Sequence, residues 1–108
     1  MPVAGLIGKL LLAYSDRDVD VFKAIGDPTR RAILDELVHR DGQTLFELCS
    51  RLALKHRLGS SRQAISQHID VLEAAGLVAT RREGRCKYHS VDTRPLRVIA
   101  DRWPTKRK

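Results

Sequence analysis

Between residues 60 and 91 the hydrophobic pattern changes period, and that change narrows the possible folds more than any other feature of the chain. Ser60-Ser61-Arg62-Gln63 has the form of a helix cap, with Gln63 three residues after Ser60. Behind it Ile65, Ile69 and Leu72 fall on one helical face, and Gly76 supplies the left-handed residue on which such a helix ends. Directly afterwards, Leu77–Arg82 and Arg85–Val91 flank Glu83-Gly84, which reads as two strands joined by a tight turn.

The residues before this stretch read as helices. Val3–Tyr14 is an apolar helix, Ser15–Asp18 a polar break, and Val19, Val21, Phe22 and Ile25 recur at helical spacing up to Gly26. Asp27-Pro28 is an N-cap followed by proline at the first helical position, where its missing N–H costs nothing. Ile33, Leu34, Leu37 and Val38 give that helix its buried face, with Arg30, Arg31, Asp35 and Glu36 on or near the wet side, and Asp41-Gly42 ends it. Thr44-Leu45-Phe46-Glu47 is a capping box opening a helix whose apolar face is Leu45, Leu48, Leu52 and Cys49. After the hairpin, Thr93-Arg94-Pro95 opens a last helix carrying Leu96, Ile99 and Trp103, stopped by Pro104.

The fold class expected is therefore mainly α with a β-hairpin wing, a winged helix-turn-helix domain. A chain of 108 residues has room for one such domain, with a core over 19–91 and terminal helices over 3–14 and 93–103. Those two helices carry apolar stripes that a monomer leaves wet, so Leu6, Leu10, Leu96, Ile99 and Trp103 are expected at a homodimer seam.

The net charge of +7 is that of a protein meeting a polyanion. Residues 1–54 hold 7 Lys/Arg against 8 Asp/Glu, whereas residues 55–90 hold 7 against 3 and residues 91–108 hold 6 against 2. The excess follows the hairpin and tail. A helix entering the major groove needs small or hydrogen-bonding residues where its backbone approaches the bases, and Ser61, Gln63, Ser66 and Gln67 provide them. Gln63 and Gln67 lie four apart, on one face, and an amide pairs bidentately with adenine. Arg81, Arg82, Arg85 and Lys87 on the hairpin suit phosphates or a neighbouring minor groove.

Two stretches, VFKAIGDPTRRAILDEL at 21–37 and SSRQAISQHIDVLEAAGLV at 60–78, also resemble the ArsR-type winged-helix repressor family, and the likeness covers residues 19–103. The resemblance implies a homodimeric repressor that occupies a double-stranded DNA operator, with two-fold symmetry, and leaves it when an inducer or a covalent change alters the dimer. It places recognition-helix roles on Ser61, Arg62, Gln63, Ser66, Gln67 and His68, and the wing on 82–87. One departure is a connection before the recognition helix roughly six residues longer than members often have, within Ser50–Gly59. It is expected to lengthen the preceding helix by a turn.

A metal site of that family resembles ELCxC, and here the run is Glu47-Leu48-Cys49-Ser50-Arg51, with a cation where the second thiolate belongs. The last helix offers no His and only Asp101, so no metal or other cofactor is expected. Cys49 reads as a small buried hydrophobe. Cys86, between Arg85 and Lys87, reads either as a redox-responsive thiol or as an incidental strand residue. His68 reads as a phosphate donor or as packing at the helix–wing junction, and His39, His56 and His89 as surface residues.

No nucleophile–base pair, phosphate-cradling glycine loop or metal set points to an enzyme. The alternatives to an ArsR-type repressor are a winged-helix protein-interaction or antitoxin-like module, against which the charged wing speaks, and a thiol-responsive repressor using Cys49 or Cys86. Single-stranded binding wants stacking aromatics, and Phe22, Phe46, Tyr14, Tyr88 and Trp103 mostly fall on core-facing positions. Val3–Tyr14 is interrupted by Gly5, Gly8 and Lys9, so neither a membrane span nor a signal core is expected, and the cytoplasm is the expected location. The residues do not name the inducer.

Overall fold

A computed structural model describes residues 16–57 and 59–106, with side chains from residue 20 onward. The helix expected over 3–14, with Leu6 and Leu10, lies outside the described residues. Helix α1 spans Asp16–Ile25, so Asp16 and Asp18, expected in a polar break, belong to its first turn.

Helix α2 spans Pro28–His39 behind the Asp27 cap, whose carboxylate accepts from the Arg30 backbone N–H at 3.1 Å. Its buried face is Ala32, Ile33, Glu36 and Leu37, rotated by one residue from the face expected. Val38 is 63% exposed in consequence, and Leu34 is only half-buried. Helix α3 spans Leu45–Lys55 with both halves of its capping box formed: Thr44 Oγ1 accepts from the Glu47 N–H at 3.2 Å, and Glu47 Oε1 accepts from the Thr44 N–H at 2.9 Å. The last turn of α3, ending at Lys55, lies within the Ser50–Gly59 segment.

Helix α4 spans Arg62–Ala74, and its cap is Ser61 rather than Ser60, with Ser61 Oγ accepting from the Ala64 N–H at 3.1 Å. Gly76 has φ 78° and closes the helix as expected, with Leu77 N–H bonded to Leu72 O and Gly76 N–H to Glu73 O, both at 2.9 Å. Strands β1 (Val78–Glu83) and β2 (Cys86–Val91) pair antiparallel from Val78↔Val91 to Glu83↔Cys86. The loop is therefore Gly84-Arg85, one residue later than the sequence pattern suggests. Gly84, at φ 61°, takes the first loop position, where a two-residue hairpin demands the left-handed region.

The hairpin is anchored by the connection from α2 to α3. Gln43 and His89 exchange backbone hydrogen bonds of 3.0 and 2.7 Å, and the Val91 N–H donates to Asp41 Oδ1 at 2.8 Å. After it, a 3-10 turn (Arg94–Leu96) leads into the short helix α5 (Arg97–Arg102). Leu96, Val98 and Ile99 pack against a core made of Val21, Ala24, Ile33, Leu37, Leu48, Leu52, Ile65, Ile69, Leu72 and Leu77 with their neighbours. Trp103 falls beyond the helix end, 66% exposed, edge-on to Phe22 at 6.0 Å.

Candidate nucleic-acid interface

The core fixes which face of α4 looks outward. With Ile65, Ile69 and Leu72 turned inward, Gln63 and Gln67 are exposed on the opposite side, just over one turn apart. Arg62 and Ser66 face the wing across an open cleft of about 510 Å³, bordered also by Thr44 and Phe46 at the start of α3. Ser61, expected to meet DNA, spends its hydroxyl oxygen on the cap. Its place at the end of the helix is retained.

Strand alternation sorts the wing cations. Thr80, Arg82, Lys87 and His89 lie on the cleft side, joined by Arg85 and Cys86 near the turn. Arg81 is not with them. Its Nε donates to Glu83 Oε2 at 2.9 Å and its guanidinium lies 5.4 Å from the centre of the Tyr88 ring, so it is held on the other surface of the hairpin. Among the sequence-expected cations, Arg62, Arg82, Arg85 and Lys87 thus converge while Arg81 does not.

Two histidines read as surface residues, His56 and His89, are bonded into the fold, and His68 does not pack at the helix–wing junction. His68 sits on the flank of α4 away from the wing, with Nδ1 3.1 Å from an Arg30 guanidinium nitrogen, so it packs against the corner between α1 and α2. His89 is buried, with Nδ1 2.9 Å from Thr80 Oγ1, and burial pulls its pKa below the ordinary histidine value. His56 caps α3 and bonds the buried Glu36 at 3.0 Å, with Lys55 Nζ 3.5 Å from the other carboxylate oxygen. Burial pushes the Glu36 carboxyl upward, but the His56 hydrogen bond and the Lys55 charge together outweigh it and hold the group below its usual range.

In sequence Glu36 reads as wet because a carboxylate beside Asp35 looks like a solvated helix face. The compensating partners come from a segment twenty residues away, which no local pattern reveals. Phe46 is 67% exposed and Trp103 66%, while Phe22 and Tyr88 are half-buried, so the aromatics are less committed to the core than expected. Cys49 is half-buried against the core, and burial pushes its thiol up; Cys86 is exposed. Among the described residues no three His, Cys, Asp or Glu side chains are grouped to hold a metal ion, and no helix is long and apolar enough to cross a membrane.

Residues 25–81 match the family model described as a helix-turn-helix domain. The chain is 47% identical to the HTH-type transcriptional regulator YuzN of Bacillus subtilis over 77% of its own length and 90% of that protein. It is 36% identical to the transcriptional repressor SdpR of the same organism, over 71% of its own length and 78% of that protein. Its fold is similar to the solved structure of an ArsR-like transcriptional regulator from Rhodococcus, with a TM-score of 0.67 at 32% identity, covering 89% of this chain and 77% of that one.

Proposed function

Because the chain belongs to the ArsR-type winged helix-turn-helix family and is thus a DNA-binding transcriptional regulator, we propose that it is a homodimeric repressor that reads its operator with α4 and grips the backbone with its wing. The observation that carries this reading is the placement of Gln63 and Gln67 on the outward face of α4 beside a cleft walled by Arg82, Arg85 and Lys87. Gln63, Ser66 and Gln67 contact base edges, while Arg62 and the three wing cations contact phosphates. The action is occupancy of DNA rather than catalysis, by a single domain, and a two-fold operator follows from a two-fold dimer.

Dimerisation covers the apolar groove formed by Leu34, Val38, Leu77, Val91, Leu96 and Ile99, about 480 Å³ in volume. The similarity to SdpR, a protein named as a repressor, supports repression. Capture of sheared genomic duplex by the purified chain, followed by sequencing, tests the proposal. Enrichment of a common inverted repeat near promoters is expected; uniform recovery of all fragments, or none, overturns it.

A further inference from the structure

Arg30 joins three elements through one side chain. Its Nε donates to the Ala24 carbonyl at 2.7 Å and one terminal nitrogen to the Lys23 carbonyl at 3.1 Å, both at the end of α1. Its other terminal nitrogen lies 3.1 Å from Nδ1 of His68 on α4. A guanidinium has donors only and keeps its proton in proteins, so Nδ1 must be the acceptor. The His68 ring is then neutral, with its hydrogen on Nε2. Asp27 Oδ2 lies 3.9 Å from the same Nδ1, beyond hydrogen-bond reach, so Arg30 is the hydrogen-bond partner of that atom.

His68 Nε2 has no partner among the described residues, and the side chain is 24% exposed. Two positions beyond Ser66, it lies some 200° round the helix from the wing cleft. In the DNA-binding reading proposed above, the cations of the wing meet one phosphate strand beside a helix in the major groove. The other flank of α4 carries His68.

We infer that Arg30 is a positioning residue for DNA binding: by donating to Nδ1, it presents the His68 Nε2–H outward as a neutral donor to a DNA phosphate on the side away from the wing. This deepens the DNA-binding reading and rests on it. A neutral donor displaces no counterion, so its contribution is distinguishable from that of an arginine by salt dependence.

The test uses the full chain, long-range proton–nitrogen spectra of the histidine rings, and anisotropy titrations against a short random-sequence duplex at several salt concentrations. Wild-type His68 is expected as the Nε2–H tautomer alone, and Arg30→Met as a mixture of tautomers. His68→Phe should weaken duplex binding roughly ten- to hundredfold for each protomer's contact, the worth of one hydrogen bond to a charged acceptor, with an unchanged salt slope. His68→Gln, whose amide N–H occupies the ε position, should restore most of the affinity. In the His68→Phe background Arg30→Met should add little, and thermal melting identifies any variant that no longer folds. An Nδ1–H tautomer in the wild type, wild-type binding by His68→Phe, or no rescue by glutamine overturns the inference. Wild-type protein that binds no duplex at low salt overturns the DNA-binding reading as well, while the tautomer still reports on Arg30.

Discussion

His56 Nε2 lies 3.0 Å from Glu36 Oε2, tying the end of α3 to a carboxylate on the buried face of α2. His56 lies within the Ser50–Gly59 segment, and the bond gives the connection from α3 to α4 a fixed starting point. Removing His56 leaves a buried charge with Lys55 as its remaining partner. His56→Ala should therefore cost about 1–3 kcal/mol, the range for deleting a hydrogen bond to a charged group. Urea unfolding measures it, and an unchanged midpoint would contradict the role given to this pair.

Stability should fall with acidity in two stages. The pKa of His89 is lowered by burial, so below the ordinary histidine value of 6.5 the unfolded chain takes up a proton that the folded one refuses. Stability present above that pH is lost as pH falls toward the folded value. Glu47, held down by the Thr44 backbone N–H, and Glu36, held down despite burial by His56 and Lys55, add a second loss below about 4.5. Thermal melts across this range check both stages; His89→Gln should remove the upper one and leave the lower.

Base reading and backbone grip should separate by mutation. Gln67→Ala is expected to cost about 1–3 kcal/mol on the selected operator with little effect on random duplex. Arg85→Ala should weaken both and reduce the salt slope by about one unit for each phosphate that the arginine neutralises, counted twice in a dimer. Arg81→Ala should leave the slope nearly intact, because that side chain is occupied by Glu83 and Tyr88 on the other surface of the wing. Equal slopes for Arg81→Ala and Arg85→Ala would show the wing to be oriented otherwise.

Val38 gives a direct probe of the dimer. It borders the apolar groove yet is 63% exposed, so Val38→Arg should spare the protomer fold while placing charge in the seam. Sedimentation should show dimeric wild type and monomeric variant at micromolar concentration. A monomeric wild type would sink the assignment.

Effector response is the last expectation. Zinc, cadmium or arsenite in modest excess should leave operator affinity unchanged, since Arg51 stands where a second thiolate of the ELCxC pattern would be. Tenfold weakening abolished by Cys49→Ser would reverse this.

Elements whose signals are local are legible in the chain alone: the Asp27-Pro28 start, the Thr44–Glu47 capping box, the Gly76 stop and the switch to period two beyond it. Each is a hydrogen bond or a backbone torsion settled within a few residues, so composition and spacing suffice to read it. Offsets of one residue arise where two residues of the same chemistry compete, as Ser60 and Ser61 do for one cap, or where the turn glycine could take either loop position. Packing between distant segments sets the rest. Glu36 is buried because Lys55 and His56 reach it from another helix, Arg81 leaves the cleft because strand register turns it to the other surface, and His68 faces Arg30 because the core residues Ile65 and Ile69 set the rotation of α4. The energies of such contacts depend on which neighbours burial brings together, and no single stretch of the chain contains both partners.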